Sequence, residues 1–364
     1  TDVDLSGANL ENVDFTDAEL SNVTLTNSKI KNCDLTKASR VEINTKMTGI
    51  EIEDSNLSGV SLKDADLLNT IIKNSDISGT SFENAKLNNV SFTKSRIRNV
   101  DFTLASQSDL KIVDMSGVEI HDSSLSSVDL SGVNFTNATI NNVELSNTKF
   151  QGANFHNVQI SNTRLSKISQ DMFKDVTGDF TFKIPSTVTE IEADAFRNSS
   201  ITGDIAIPAS VTKIGENAFR NTKNIGNINM TNAINLTEIK DSAFQESGMT
   251  GEIRIPDSVT KIGNNAFKDT QNIGDLTIDV SSNLSDIGES AFQNSSVQSS
   301  NFVVPVNLKK IGTNAFSGAT GITGDVDFRQ SNSSMSYEIG VDAFKDTGLN
   351  SIILGKGEIS DRTI

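Results

Sequence analysis

The first part of the chain repeats a pattern of apolar and polar residues every five positions. Large apolar residues fall at Leu5, Leu10 and Phe15 and recur, with two interruptions, as far as Leu165. A smaller residue (most often Val, Ala, Ser or Thr) stands two positions before most of them. A period of five matches neither the 3.6-residue period of a helix nor the two-residue period of a strand. It predicts a square coil in which each side takes five residues and then turns a corner.

In such a coil the large residue and the small one before it point inward, and the other three positions face solvent. Four sides make a coil of about 20 residues, and ~8 coils stacked at a strand spacing of ~4.8 Å would form a rod of roughly 40 Å. Residues 20 apart then lie above one another. We therefore expect Phe82 to stack on Phe102 and Phe135 to stack on Phe155.

The five-residue units read A-(D/N)-L-x-x, and on this motif residues 1–167 resemble the pentapeptide-repeat family. The resemblance implies a right-handed quadrilateral parallel β-helix. The repeat slips out of phase twice, which departs from the ideal pattern of the family. We expect bulges or loops at these slips, in residues 36–46 and 103–109.

Beyond residue 168 the period changes to about 24, and a phenylalanine marks each repeat. The marker residues are Phe173, Phe196, Phe219, Phe244, Phe267, Phe292, Phe316 and Phe344. A second marker, I-P-x-S-V-T-x-I-G, begins at Ile207 and again at Ile255, 48 residues later. This distance of two repeats indicates that a doublet of repeats was itself duplicated.

The combined unit, I-P-x-S-V-T-x-I-G-x-x-A-F, is similar to the BspA-type leucine-rich repeat over residues 168–354. The resemblance implies a curved parallel solenoid with one short strand in each repeat. Repeats of this kind stack on their neighbours and bury a continuous core. We therefore predict an all-β-dominated fold made of two solenoid domains, a pentapeptide-repeat β-helix at 1–167 and a BspA-type leucine-rich-repeat solenoid at 168–364.

The predicted strands of the second domain share a polar position, eight or nine residues after each phenylalanine. It is occupied by Thr181, Asp204, Asn227, Glu252, Asp275, Asn301 and Asp325. Because neighbouring parallel strands lie ~4.8 Å apart, these residues would form a ladder on one sheet face. Two interpretations are open. Asp and Asn favour the strand entrance after Thr-Gly, or the ladder is a recognition strip for a cationic or hydroxyl-rich partner.

Charge and apolar content narrow the functional classes. The formal net charge is −16, with −7 in the first domain and −9 in the second, and it is not concentrated in any acidic run. This distribution argues against direct binding of nucleic acid, which needs a basic face. No stretch of about 18 apolar residues predicts a membrane span, and the absence of Trp weakens the case for a sugar-stacking cleft or an aromatic interface.

The residue types that carry catalysis are sparse. The two histidines, His121 and His156, each follow an inward apolar position and are therefore expected to face solvent. The only cysteine, Cys33, occupies an inward small position, where we expect it to serve packing. Neither zinc-binding nor nucleophile-elbow motifs occur. We predict that the protein is not an enzyme and has no cofactor-binding or metal site.

Three functions are compatible with this pattern. The BspA-type resemblance implies a secreted or cell-surface protein that adheres to a protein or glycan partner on a cell or matrix surface, with the pentapeptide domain as a stiff spacer. Alternatively, the chain is a structural subunit that self-associates through open solenoid ends into a filament or coat, since it begins in mid-repeat near Thr1. That start would also follow if the chain were a fragment or a processed protein. The third hypothesis is a DNA-mimicking gyrase binder, but basic residues such as Lys94 and Arg96 interrupt the acidic surface it would need.

Overall fold

The computed structural model describes residues 3–18, 23–38, 47–106, 111–300, 302–330 and 337–354. In these residues the regular structure consists of short parallel strands and 3-10 helices, and no α-helix is present. The backbone packs as two compact units: Thr1–Leu165 with Val176–Thr181, and Ser166–Asp175 with Phe182–Ile364. The predicted parallel β-solenoid fold is confirmed, whereas a single domain boundary after residue 167 stays a prediction.

The first unit contains two parallel sheets of three- to six-residue strands. Its strands are β1 (Asn9–Glu11), β2 (Lys29–Lys31), β3 (Glu51–Glu53), β4 (Ile71–Lys73), β5 (Asn88–Thr93), β6 (Arg96–Arg98), β7 (Lys111–Asp114), β8 (Glu119–His121), β9 (Thr139–Asn141) and β10 (Gln159–Ser161). One sheet has the order β1-β2-β3-β4-β5-β7 and the other has the order β10-β9-β8-β6. Isolated bridges extend the pairing to the remaining sides.

Four sides per coil are visible directly in the pairing. Within one coil, successive sides pair with residues 20 positions later: Asn56 with Asp76, Ser61 with Ser81, Asp66 with Lys86, and Ile71 with Ser91. The five-residue period therefore folds into the predicted quadrilateral coil. Its two inward positions are buried along almost the whole described length of the unit.

The aromatic rows in this core follow the predicted 20-residue spacing, with one difference in geometry. Phe82 and Phe102 are stacked, with ring centroids 5.5 Å apart and planes 13° apart. Phe135 and Phe155 are also neighbours at 5.3 Å, but their planes meet at 80°. A third ring, Phe150, packs edge-on against both. Phe92 packs edge-on against Phe82 and Phe102 in the same way, so a third ring accompanies both pairs and the 20-residue spacing alone does not set the angle between the rings.

Buried hydroxyls replace apolar side chains at one inward corner. The Ser75 hydroxyl donates to the Lys73 carbonyl at 2.8 Å and accepts the backbone N–H of Ser55 at 3.1 Å. The Ser55 hydroxyl in turn accepts the N–H of Cys33 at 3.2 Å. A buried polar group costs stability unless it is hydrogen-bonded, and these are bonded. Cys33 occupies the equivalent position, is 4 % exposed, and packs as predicted.

Asparagine and aspartate at the corners and sides explain the family motif. The side chain of the Asp or Asn in the A-(D/N)-L motif accepts the backbone N–H of the residue two positions later, as in the 2.9 Å bond from the Ser78 N–H to Asp76. A second set adopts left-handed backbone angles, for example Asn74 with φ 49°. Asn and Asp tolerate this conformation better than other non-glycine residues. The Asn74 side chain also donates to Asp54 one coil below, at 2.6 Å, so that corners stack on corners.

The two phase slips begin with 3-10 helices, Leu35–Lys37 and Phe102–Leu104. Asp34 and Asp101 precede them, and each accepts the backbone N–H two residues later. The remainder of the loops expected at 36–46 and 103–109, namely 39–46 and 107–109, lies outside the described residues.

The described residues of the second unit form three parallel sheets and one 3-10 helix, Phe328–Gln330. Its strands are β11 (Lys167–Ile168), β12 (Glu190–Ile191), β13 (Gly203–Ala206), β14 (Lys213–Ile214), β15 (Ile225–Asn229), β16 (Glu238–Ile239), β17 (Thr250–Arg254), β18 (Lys261–Ile262), β19 (Asn272–Thr277), β20 (Asp286–Ile287), β21 (Lys310–Ile311), β22 (Thr323–Asp327), β23 (Glu338–Ile339) and β24 (Gly348–Ile353). The sheets have the orders β11-β12-β14-β16-β18-β20-β21-β23, β13-β15-β17-β19, and β22-β24.

Most repeats of this unit contribute two strands, so the expectation of one strand per repeat is wrong. The additional strand is only two residues long and contains the I of the V-T-x-I-G motif. Its inward isoleucine pairs with the isoleucine of the next repeat, as Ile239 does with Ile214 and Ile262. Two residues are too few to generate a periodic signal in the sequence.

The marker phenylalanines form one continuous stack through the core. Successive rings from Phe173 to Phe344 lie 5.0 to 5.3 Å apart, with planes within 13° of parallel. The alanine before each ring from Phe196 onward is also fully buried. One phenylalanine per repeat therefore provides an uninterrupted aromatic column, which explains the strictness of the Ala-Phe marker.

Glycine at the end of the two-residue strand is required by the closeness of adjacent repeats. A Cβ atom on Gly263 would lie 2.5 Å from the backbone nitrogen of Asp241, whereas a Cβ on Gly274 would lie no closer than 3.5 Å to any neighbour. We expect Gly263→Ala to destabilise the second unit by about 1–3 kcal/mol through overpacking. Gly274→Ala, the matched control, should change stability by no more than about 0.5 kcal/mol. Urea unfolding measures both, and equal midpoints for the two variants would contradict this explanation.

Candidate partner-binding surface

The polar ladder predicted from the sequence lies mainly on the sheet β13-β15-β17-β19. Four members are carried by its consecutive strands: Asp204, Asn227, Glu252 and Asp275. The three acidic residues are exposed and Asn227 is half-buried. The structure therefore places the central part of the predicted ladder on one accessible sheet face, although Asn227 pairs with Thr250 and not with Glu252.

The outer members of the ladder are placed differently. Asp325 is exposed on β22, in the separate sheet β22-β24. Thr181 is exposed but belongs to the first unit and to none of the strands named above, while Asn301 lies outside the described residues. The residue that pairs with Asp275 is Gln298, an exposed amide that the sequence pattern did not identify. Gln298 comes six residues after Phe292 and so precedes the position expected from the spacing.

Bulges between neighbouring strands control where the ladder side chains point. Register shifts occur next to Asp204, Glu252 and Asp325, each time with an additional residue in the following strand. The Asp204 carboxylate accepts the N–H of Asn227 at 2.8 Å, and the Asp325 carboxylate accepts the Ser351 hydroxyl at 2.6 Å. These carboxylates therefore have a local role at a bulge, where ladder pairing is interrupted.

Asp275 is the ladder carboxylate with the least local involvement. Its side chain is exposed, and no bond from it to another of the described residues is recorded. Glu252 is intermediate, since one of its oxygens accepts the Thr277 hydroxyl at 2.9 Å and the other is open to solvent. A carboxylate offers about four acceptor positions, so both residues keep capacity for an external donor.

A small cleft of about 140 Å³ lies between β15 and β17 at the centre of the ladder. Asn227 and Glu252 line it from the ladder, and Asn229 and Arg254 line it from the next outward-facing positions. An amide supplies both donors and acceptors, a carboxylate only acceptors and a guanidinium only donors. The cleft therefore presents both hydrogen-bonding types within one small polar recess.

The larger eight-stranded sheet carries a second outward row, which the sequence analysis missed. The first residue of each two-residue strand faces out, and its charge alternates along the sheet. The row is Lys167, Glu190, Lys213, Glu238, Lys261, Asp286, Lys310 and Glu338, and is called the alternating row below. The signal was present in the sequence as the residue before each inward isoleucine, but it becomes visible only when all repeats are aligned side by side.

Ion pairing in the alternating row shifts the pKa values of Lys167 and Glu190. The Lys167 ammonium lies 2.9 Å from Glu190, and Lys213 lies 3.5 Å from Glu190 on the other side. The hydrogen bond from Lys167 lowers the pKa of Glu190 below its ordinary value of 4.5, and the same bond raises the pKa of Lys167. A groove of about 490 Å³ runs beside these residues.

The first unit has a polar groove of about 610 Å³ over the buried hydroxyl corner. Its walls are internally paired: Asn74 donates to Asp54 at 2.6 Å, and Arg96 lies 3.5 Å from Asp76. Because these groups already satisfy one another, the groove has less capacity for a partner than the open ladder on the second unit.

The described residues were also searched for chemistry and for membrane contact. No group of three or more His, Cys, Asp or Glu residues in the described ranges is arranged to hold a metal ion. Within the same ranges no helix is long and apolar enough to cross a membrane. His156 is exposed as predicted, while His121 is half-buried beside Asn141.

Comparison with protein families agrees with the geometry of both units. The model for the BspA type leucine-rich repeat region matches residues 143–274 and 237–362, with six copies, and so covers more than half of the chain. The chain belongs to this BspA-type family. The model for pentapeptide repeats matches residues 1–38 and 72–103, with eight copies, so the suspected fusion of the two repeat types is confirmed.

Solved structures similar to this BspA-type chain have low identity to it. HetL, a pentapeptide repeat protein involved in heterocyst differentiation regulation from the cyanobacterium Nostoc, shares 17 % identity with a TM-score of 0.23, over 48 % of this chain and 87 % of its own. QnrB1, a plasmid-mediated fluoroquinolone resistance protein, shares 16 % with a TM-score of 0.24, over 48 % and 82 %. The pneumococcal vaccine antigen PcpA shares 14 % with a TM-score of 0.34, over 95 % and 80 %. A search of curated proteins found no match.

Two ladder carboxylates of the BspA-type unit allow a matched test of local role. Asp204→Ala removes the acceptor of the Asn227 N–H, so we expect a loss of about 1 kcal/mol in the free energy of unfolding. Asp275→Ala removes an exposed side chain with no recorded local bond, so we expect a change within about 0.5 kcal/mol. Urea unfolding measures both values. If Asp275→Ala is as destabilising as Asp204→Ala, the two side chains do not differ as described.

The alternating row predicts a pH dependence of stability. A carboxylate whose pKa is lowered by folding stabilises the fold above its unfolded-state pKa and loses this contribution as the pH falls through its folded-state pKa. We expect Glu190→Gln to lower the free energy of unfolding by up to about 1 kcal/mol near pH 7, and by nothing once the pH is about 2.

Urea titrations of the parent and Glu190→Gln at both pH values measure this difference. Glu216→Gln is the control, because Glu216 is exposed and makes no recorded ion pair with the described residues. A difference between the parent and Glu190→Gln that persists unchanged in acid would contradict the assignment.

Proposed function

We propose that this BspA-type protein is a non-catalytic, adhesion-type binding solenoid, secreted or exposed at a cell surface, whose partner is a protein or a glycan. The pentapeptide unit acts as a stiff spacer, and the leucine-rich-repeat unit makes the contact. The observation that carries the proposal is a polar strip on one face of a parallel sheet, made of the exposed Asp204, Glu252 and Asp275 and the half-buried Asn227. Solenoids offer such continuous faces to their partners.

The chemistry of the strip favours a partner rich in hydrogen-bond donors. Its carboxylates and amide present mostly acceptors, and Gln298 extends it by one strand. Cationic side chains and sugar hydroxyls both supply donors, and a cationic partner would also be attracted by the net charge of −16. The cleft at Glu252 and Arg254 adds a position where a single hydroxyl-bearing group could be bound from two sides.

A non-catalytic role is supported by how the interior of both units is used. The buried positions are filled by Ile, Leu, Val, Phe and Ala together with hydroxyls, most of which are bonded to backbone. Packing of this density leaves catalytic groups only on the outer surface. Secretion or surface exposure follows from the family resemblance and is part of the proposal.

Ion pairing within the first unit weighs against the DNA-mimicking alternative. A DNA mimic needs one continuous negative face. Here acidic residues face basic ones in the next coil, as in Asp66 with Lys86 and Asp129 with Lys149. The potentials of opposite charges at this spacing largely cancel, and salt screens the remainder over a Debye length of about 8 Å at physiological ionic strength. The paired rows therefore form no continuous negative face.

The binding role can be tested with immobilised collagen, laminin and uncharged glycans, with polylysine as a cationic reference. For any probe that binds, we expect Asp275→Lys to weaken binding at least tenfold, which corresponds to about 1.4 kcal/mol. Asp275 is suited to this test because no recorded local bond depends on it.

Glu289→Lys changes the net charge equally but lies outside the ladder, so it is the control and should bind like the parent. Equal affinity of Asp275→Lys and the parent for every binding probe would rule out the strip as the contact surface. Gel filtration at several protein concentrations tests the structural-subunit alternative. A monomer at every concentration would be incompatible with self-assembly of this chain.

A further inference from the structure

Two columns in the core of the second unit are the same in every repeat, which creates a specificity problem. Each repeat contributes one isoleucine and one phenylalanine to continuous buried columns. The isoleucines are Ile168, Ile191, Ile214, Ile239, Ile262, Ile287, Ile311 and Ile339. A repeat that stacked on its second neighbour, with one repeat looped out, would bury the same side chains in the same columns. These two columns therefore cannot distinguish the native order of repeats from a skipped one, although other buried positions vary, as with Ile207, Met230 and Ile255.

The outward-facing residues just before the two-residue strands also fail to distinguish the native order of repeats from a skipped one. Thr189, Thr212, Thr237 and Thr260 occupy the same position in successive repeats. The hydroxyls of the last three each donate to the backbone carbonyl of the preceding threonine, at 3.1 Å in every case. A skipped repeat would present an identical threonine to an identical carbonyl.

The alternating row does distinguish the two arrangements. Its seven neighbouring pairs in the native order, from Lys167 with Glu190 to Lys310 with Glu338, are all of opposite charge. Skipping one repeat would set Lys213 against Lys261 and Glu238 against Asp286. Like charges directly opposite in a sheet repel, so every skipped pair is unfavourable.

We propose that the alternating row helps to determine which repeats can stack on one another, and that it disfavours skipped stacking of repeats whose isoleucine and phenylalanine columns are interchangeable. The row acts through repulsion in the wrong arrangement more than through attraction in the right one, since exposed ion pairs stabilise little.

The first unit shows the same arrangement independently. On its first sheet Lys31, Glu53 and Lys73 occupy equivalent positions in three successive coils, and the Glu53 carboxylate contacts both lysines, at 3.8 Å and 3.0 Å. On another side Arg96 stands between Asp76 and Glu119. In each case a skipped coil would place two like charges together.

A permuted row gives the sharpest test. Exchanging two neighbours, Glu238→Lys with Lys261→Glu, keeps composition and net charge. It makes two native contacts repulsive, with Lys213 and with Asp286, and it makes the skipped contacts across the exchanged pair attractive. The control exchange is Lys309→Glu with Glu289→Lys. These residues lie outside the alternating row and are flanked by uncharged neighbours along their own rows.

Engineered cysteine pairs report the stacking order, in a Cys33→Ser background. Thr212→Cys with Thr237→Cys joins adjacent repeats, ~4.8 Å apart, whereas Thr212→Cys with Thr260→Cys joins skipped repeats, about 10 Å apart in the native order. A disulfide does not form across more than about 7 Å without movement of the backbone.

After refolding and mild oxidation, we expect the parent and the control exchange to form the adjacent disulfide and little of the skipped one. The permuted chain should form at least fivefold more of the skipped disulfide. This excess should shrink in about 1 M salt, where the Debye length is about 3 Å. Equal yields of the skipped disulfide in the parent and the permuted chain would overturn the proposal.

A second variant covers the case in which the permuted chain does not refold. Inverting the sign of all eight residues of the row restores the alternation with four times as many substitutions. We expect its refolding yield to be close to that of the parent, well above that of the permuted chain. If the inverted chain refolds no better than the permuted one, charge order has no role in stacking and the proposal fails.

Discussion

The structure depends on one constraint, the parallel stacking of equivalent positions at the spacing of hydrogen-bonded strands. Each side chain has as its nearest neighbours the side chains at the same position one coil above and below. A residue is therefore selected for how well it packs against a copy of itself. Phenylalanine and isoleucine satisfy this requirement as columns, and asparagine satisfies it by bonding to the residue below. A charged residue does not, because a column of like charges repels itself.

Both units contain rows of alternating charge, despite different periods. In the pentapeptide unit Lys31, Glu53 and Lys73 alternate over three coils, and in the BspA-type unit the alternation extends over eight strands. The alternation is confined to particular rows, since Lys174, Arg197 and Arg220 occupy equivalent positions in three successive repeats. The sequence doublet of 48 residues has a physical reason in this arrangement. A row that alternates in sign needs a repeat of two units, although the core needs a repeat of only one.

The sequence predicted those features that depend on large side chains recurring at a fixed distance. The quadrilateral coil, the aromatic column and the position of Cys33 all follow from such recurrences. The two-residue strands and the bulges beside Asp204 and Glu252 do not, because they are set by backbone hydrogen bonds that leave no apolar period. The edge-on contact of Phe135 and Phe155 also needed the structure, since the stacked pair Phe82 and Phe102 has the same 20-residue spacing and a different angle between its rings.

The residues of the candidate site could therefore be predicted from the sequence, but the role of each residue could not. Spacing from the phenylalanine located Asp204 and Asp275 on strands of the same sheet, yet only the structure shows that Asp204 accepts a hydrogen bond from the chain itself while Asp275 remains open. The same Asp or Asn preference at a strand entrance thus yields two kinds of residue. Asp204 holds the sheet in register at its bulge, whereas Asp275, which also lies at a bulge, keeps its acceptors for an external donor.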